Sequence, residues 1–164
     1  MNSPSLTAED LLAWNDATAE SWHALASEHP SLLQIPCDIH NSTTVGQLLQ
    51  HIVAAELRYA ERLTDTPATD YASIPFATAD EIFATHQHAL EILKNLLQDS
   101  EFDWSREIEF PTLTAGRRRA TRKAVFQHAL LHSIRHYAQL ATLVRQHGIR
   151  PAPSDYLLLA SSPA

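Results

Sequence analysis

The sequence predicts an all-α fold, a four-helix bundle with a short extended segment between the third and fourth helices. Apolar residues recur at helical spacing in four stretches, hydroxyl residues stand where three of these should start, and the chain holds only three glycines. So few glycines disfavour folds with many tight turns and leave no glycine-rich phosphate loop.

The first helix starts at Thr7-Ala-Glu-Asp10, a hydroxyl cap with acids in the first turn, and carries Leu11, Leu12, Trp14, Ala17, Trp22 and Leu25 to about His29, where Pro30 stops it. Residues 30–42 hold two prolines and read as a loop. Thr43 or Thr44 then caps a second helix with Leu48, His51, Ile52, Ala55, Tyr59 and Leu63 on one stripe. Residues 65–77, with Pro67 and Pro75, form a second long connection. Thr78-Ala-Asp-Glu81 is a capping box, and Ile82, Phe83, His86, Ala89, Leu90, Leu93, Leu96 and Leu97 continue the third helix.

Over residues 99–121 the period changes to two, with Phe102, Trp104, Ile108 and Phe110 on even positions, which suggests a short strand pair or an extended flap. The last helix is expected from about Arg119 to His147, ended by Gly148 as a left-handed cap and by Pro151. A tail from about residue 149 is expected to pack Tyr156, Leu157 and Leu158 loosely or to be partly disordered, and residues 1–164 read as one domain, long enough to bury a core without a disulfide or structural metal. Four helices with two long connections are a bundle in which facing helices can place ligands in the core.

A formal charge of −7 argues against nucleic acid as a partner. No run approaches the roughly 20 apolar residues of a membrane span, and the first residues lack the basic start and apolar stretch of a secretion signal, so a soluble cytoplasmic protein is expected. The single cysteine, Cys37, agrees with a reducing compartment and has no obvious base beside it. The one basic cluster, Arg117, Arg118 and Arg119 with Arg122 and Lys123, reads as a solvated turn before the last helix or, more sharply, as a mouth that draws an anionic substrate toward the histidines.

Those histidines are the strongest chemical signal. His128, His132 and His136 repeat one metal ligand every four residues, and positions four apart lie about 40° apart on one helix face. Two such imidazoles can close on one ion. A third nitrogen is available from His51, a lone imidazole on the apolar stripe of the second helix. The alternative is an ordinary core histidine, hydrogen-bonded among its neighbours.

The segments Gly46-Gln-Leu-Leu-Gln-His51-Ile-Val-Ala-Ala-Glu56 and Phe126-Gln-His128-Ala-Leu-Leu-His132-Ser-Ile-Arg-His136-Tyr-Ala-Gln139 resemble the DinB-like (YfiT-like) family of small bacterial metalloproteins. The resemblance covers nearly the whole chain in helix order and length. It implies an up-down-down-up bundle with a divalent metal on three histidines, one from the second helix and two spaced by four on the last. Carried over, the ligands are His51, His132 and His136, and the family pattern leaves His128 to support a ligand from behind or to stand at the entrance. Gln139, three residues after His136 on the same face, matches a family glutamine that can bond a ligand or substrate, with a satisfied core amide as the plain alternative. Many members follow the last ligand with arginine, which this chain replaces by Tyr137.

Three neutral imidazoles leave an open position, and one divalent ion, zinc or nickel first, would lower the pKa of a thiol or water there. A di-iron centre needs paired Glu-x-x-His motifs, and the chain has one such spacing, Glu20 to His23. The resemblance further implies a transferase or hydrolase that uses a low-molecular-weight thiol or water against a small-molecule electrophile, and a homodimer. His128, Glu56 and Tyr59 are the candidate bases, with Glu56 some 140° around the helix from His51 and so better suited to an inter-helix role. The reading from another class is a non-catalytic divalent-metal-binding or stress-response protein.

Overall fold

The computed structural model describes residues 5–112 and 115–162. Four long helices dominate: α1 (Ala8–Glu28), α2 (Val45–Leu63), α3 (Ala79–Gln98) and α4 (Arg122–Gln146), with a hairpin of β1 (Glu107–Thr112) and β2 (Gly116–Thr121) before α4 and a single turn, α5 (Tyr156–Leu159), in the tail. Thr7, Thr44 and Thr78 cap the first three helices by accepting from the backbone N–H three residues on, and Asp10 and Glu81 return the bond to complete two capping boxes.

The expectation for α4 needs correction at its start. Residues 119–121 belong to β2, where Arg119 pairs with Glu109, Ala120 with Ile108 and Thr121 with Glu107. Local propensity favours helix at Arg-Ala, but ladder bonds to a strand ten residues back win, and Thr121 then caps α4 through Ala124 N–H. Gly148 closes the helix at φ 81°. Trp14 holds the tail by donating from Nε1 to the Ser154 carbonyl at 2.6 Å and meeting the Tyr156 ring edge-on, while Leu157 and Leu158 stay exposed.

Side-chain pairs fix how the helices run. Asn15 reaches the Leu130 carbonyl and Trp22 stacks on Tyr137, so α1 and α4 are parallel. His51 meets His132 while Tyr59 meets His128, so α2 and α4 are antiparallel. His23 meets Asp80 while Asp16 meets His86, so α1 and α3 are antiparallel. The most extensive helix packing is of α2 on α3 and α4, followed by α1 on the same two helices.

The apolar core falls into two clusters. One holds Trp22, Ile52, Val53, Ile82, Phe83, Tyr137 and Leu140. The other holds Leu11, Leu12, Leu63, Leu90, Leu93, Phe126 and Leu130. Between them in every helix comes a buried polar residue: Asn15 on α1, Glu56 on α2, His86 on α3 and Ser133 on α4. The chain thus interrupts its core with a polar layer, and the histidines of α2 and α4 lie at that level. No helix among the described residues is long and apolar enough to cross a membrane.

Candidate metal centre

Helical period brings the α4 imidazoles together, and the antiparallel packing of α2 adds His51. Nε2 of His132 lies 3.2 Å from Nε2 of His51 and 3.2 Å from Nε2 of His136. A tetrahedral zinc with Zn–N bonds of about 2.0–2.1 Å separates neighbouring nitrogens by about 3.4 Å, so this spacing fits an ion of that size. The tautomer fits as well. His136 donates from Nδ1 to Gln139 Oε1 at 2.7 Å, which leaves its Nε2 with a free lone pair, and Arg135 Nη2 donates to that same Nε2 at 3.1 Å. His132 Nδ1 is buried without a hydrogen-bond partner among the described residues.

Burial pushes all three imidazoles toward the neutral form, and the neighbouring histidines and Arg135 add to it: His51 to about 3, His132 to about 2 and His136 to about 4. Neutral nitrogen is the form that ligates a metal.

A fourth imidazole joins them. His40 sits in the 3₁₀ turn Ile39–Asn41, its ring 4.1 Å from that of His51 and 5.7 Å from that of His136. Ligand nitrogens of His40, His51 and His136 all lie within 4.8 Å of one another, a group able to hold a metal ion. His40 was not among the residues singled out from the sequence, since a loop carries no period to betray it. Its backbone is left-handed, φ 53° and ψ 43°, as is that of Asn41, and this sharp turn brings the ring over the helices.

His128 lies one turn further out, 5.7 Å from the His132 ring and edge-on to Tyr59. Glu56 turns away from the imidazoles: it is 1% exposed, accepts from Asn15 Nδ2 at 3.0 Å and faces His86 Nδ1 at 2.7 Å. It therefore plays the inter-helix part and not that of a base. His23 pairs with Asp80 and stacks on Phe83, remote from these groups.

Beside His51 and His132 opens a cavity of about 400 Å³, floored by α2 and α4 and walled by Tyr71 and by the hairpin at Pro111, Thr112 and Ala115. Three arginines face it, Arg58, Arg62 and Arg135. None of them was picked out from the sequence, although Arg58 and Arg62 follow His51 by seven and eleven residues and so share its helix face. The expected basic mouth is elsewhere: Arg117 and Arg119 pair with Glu109 across the hairpin, Arg122 with Asp65, and none of Arg117, Arg118 and Arg119 lines the cavity.

A largely helical chain whose clustered imidazoles could hold a metal ion beside an open cavity is consistent with a metal-binding protein. This chain belongs to the DinB family, whose model matches residues 3–163. No curated protein sequence matches it.

Proposed function

We propose that the chain is a metal-dependent enzyme in which His51, His132 and His136 hold one divalent ion, zinc or nickel, at the edge of the cavity, on an up-down-down-up four-helix bundle. The position of His132 Nε2, 3.2 Å from Nε2 of His51 and 3.2 Å from Nε2 of His136, carries this reading. An ion held there would acidify a thiol or a water and so supply a nucleophile near neutral pH. Gln139 orients the His136 ring through Nδ1. His128, on the cavity wall and burial-shifted toward the neutral form, is placed to take a proton from the entering group. The cavity has the volume of a small-molecule site. The family likeness favours a low-molecular-weight thiol as co-substrate in a transferase, with hydrolysis as the related chemistry, and a homodimeric protein.

The second reading, a non-catalytic metal-binding protein, is favoured by one observation: His40 offers a fourth nitrogen, and four protein ligands make a closed site. Metal content measured by mass spectrometry on tag-free protein, beside the His51→Ala/His132→Ala/His136→Ala variant, tests the shared premise. About one ion per chain, lost in the variant, supports both readings, and thiol consumption with a small electrophile then selects the enzyme. No ion under metal-replete conditions overturns both.

A further inference from the structure

We propose that the cavity beside the imidazoles binds a small organic carboxylate, gripped by Arg58, Arg62 and Arg135. This names the substrate class of the site proposed above and rests on that reading for its catalytic meaning, though not for binding itself.

Charge composition makes the cavity unusual. The chain carries 19 acidic against 12 basic residues, yet no aspartate or glutamate lines the cavity among the described residues, while three arginines do. Four of the other guanidiniums are matched, Arg106 and Arg122 facing Asp65 and Arg117 and Arg119 facing Glu109, while Arg118, Arg145 and Arg150 make no ion pair among the described residues but are exposed to water. Arg58, Arg62 and Arg135 make no ion pair among the described residues. Arg58 and Arg62 are half-buried, a costly place for a cation without a counter-ion, and a site tuned to receive an anion is one where that cost is offset on binding.

The unused donors point the same way. Arg58 Nε is buried without a hydrogen-bond partner among the described residues. Arg62 is fixed in plane: its guanidinium lies 5.0 Å over the Tyr59 ring and 5.3 Å over Phe110, and Nη2 donates to the Pro111 carbonyl at 3.2 Å, which leaves further N–H groups free. Arg135 holds only the His136 ring, a partner it must surrender when that nitrogen takes a metal. Planar guanidiniums grip carboxylates through paired N–H donors, which a lysine could not do.

The rest of the wall defines the body of the ligand. Ala55, Pro111 and the rings of Tyr59 and Tyr71 are mostly apolar, and about 400 Å³ holds a single small molecule. The ligand is therefore an acid with an apolar, ring-sized body, its carboxylate on the arginines and its other end toward His51 and His132.

The test uses phthalate as probe and its neutral diamide as control, by calorimetry on the metal-loaded full chain, with metal content read on each sample. Phthalate should bind one per chain and weaken with added salt, and the diamide should not bind at the same concentration. Arg58→Gln/Arg62→Gln should weaken phthalate by about tenfold or more, and Arg135→Gln, an exposed position whose one side-chain bond is to the His136 ring, by about threefold or more at equal metal content. Equal binding of phthalate and the diamide, or unchanged phthalate affinity in both folded variants, overturns the proposal. Phthalate binding without any metal retires the metal reading alone, and metal without phthalate binding retires the carboxylate site alone.

Discussion

The guanidinium of Arg135 occupies the lone pair of His136 Nε2, at 3.1 Å, while Gln139 holds the opposite ring nitrogen at 2.7 Å. A metal on Nε2 needs that lone pair, so ion and guanidinium compete for it. Arg135→Gln removes the competitor and a nearby positive charge, and a single such bond is worth about 1 kcal/mol. Zinc or nickel should therefore bind about threefold to tenfold tighter in the variant, measured by chelator competition. Weaker binding would show that Arg135 supports the site instead of masking it.

Removing imidazoles one at a time separates ligands from neighbours. His132 stands between His51 and His136, so His132→Ala should weaken metal binding more than any other single imidazole removal, leaving only the wider group of His40, His51 and His136. His128 is one turn away and lines the cavity, so His128→Ala should keep the ion and change only turnover. His40→Ala should also keep the ion but open a coordination position, visible as a changed absorption spectrum of the cobalt-substituted protein and as tighter thiol binding. Metal lost from the His128 variant and retained in the His132 variant would overturn the ligand assignment.

How much of this was legible follows from where each signal is stored. Helix starts are local, so Thr7, Thr44 and Thr78 announce three of the four helices. The start of α4 is not local, because Arg119 to Thr121 are held by a distant strand. His51, His132 and His136 show through helical period. His40 reaches the same place through a left-handed turn that no period encodes. Arg58 and Arg62 look like solvated helix charges until the hairpin and Tyr71 wall them in, and only their phase with His51 hints otherwise. The layer of Asn15, Glu56, His86 and Ser133 reads as four unrelated polar residues until the helices align them.

Gly46 lies at the first turn of α2, where a Cβ would stand 3.1 Å from the Leu33 carbonyl oxygen and 3.4 Å from Leu33 Cβ. The helix can pack this close to the preceding loop because the side chain is missing. Gly46→Ala improves helix propensity by about 1 kcal/mol, but backbone must shift to admit the methyl, at about 1–3 kcal/mol. A net loss of about 1 kcal/mol is expected in urea unfolding. Since this loop carries His40, metal affinity should fall with it; an unchanged midpoint would mean that the loop yields freely.

The buried layer should make stability depend on pH through His86. Its ring is 1% exposed, faces Glu56 Oε2 at 2.7 Å and Asp16 Oδ1 at 3.5 Å, and has the fully buried Tyr137 of α4 at the same level, while Lys94 pairs with Asp16 from outside. Burial alone would lower its pKa, but the two carboxylates override burial and raise it to about 9. In the unfolded chain it returns to about 6.5. The folded form thus holds the proton more tightly, so the stabilisation is complete below about pH 6.5 and is lost as pH rises through about 9, some 3 kcal/mol across that window. The melting temperature should fall between pH 6.5 and 9.5. His86→Leu should flatten that slope and, by leaving Glu56 buried without its partner, cost about 3–5 kcal/mol at pH 6. Glu56→Gln/His86→Leu removes both charges, should recover most of that loss and stay flat with pH. A slope that survives in this double variant would place its origin outside the pair.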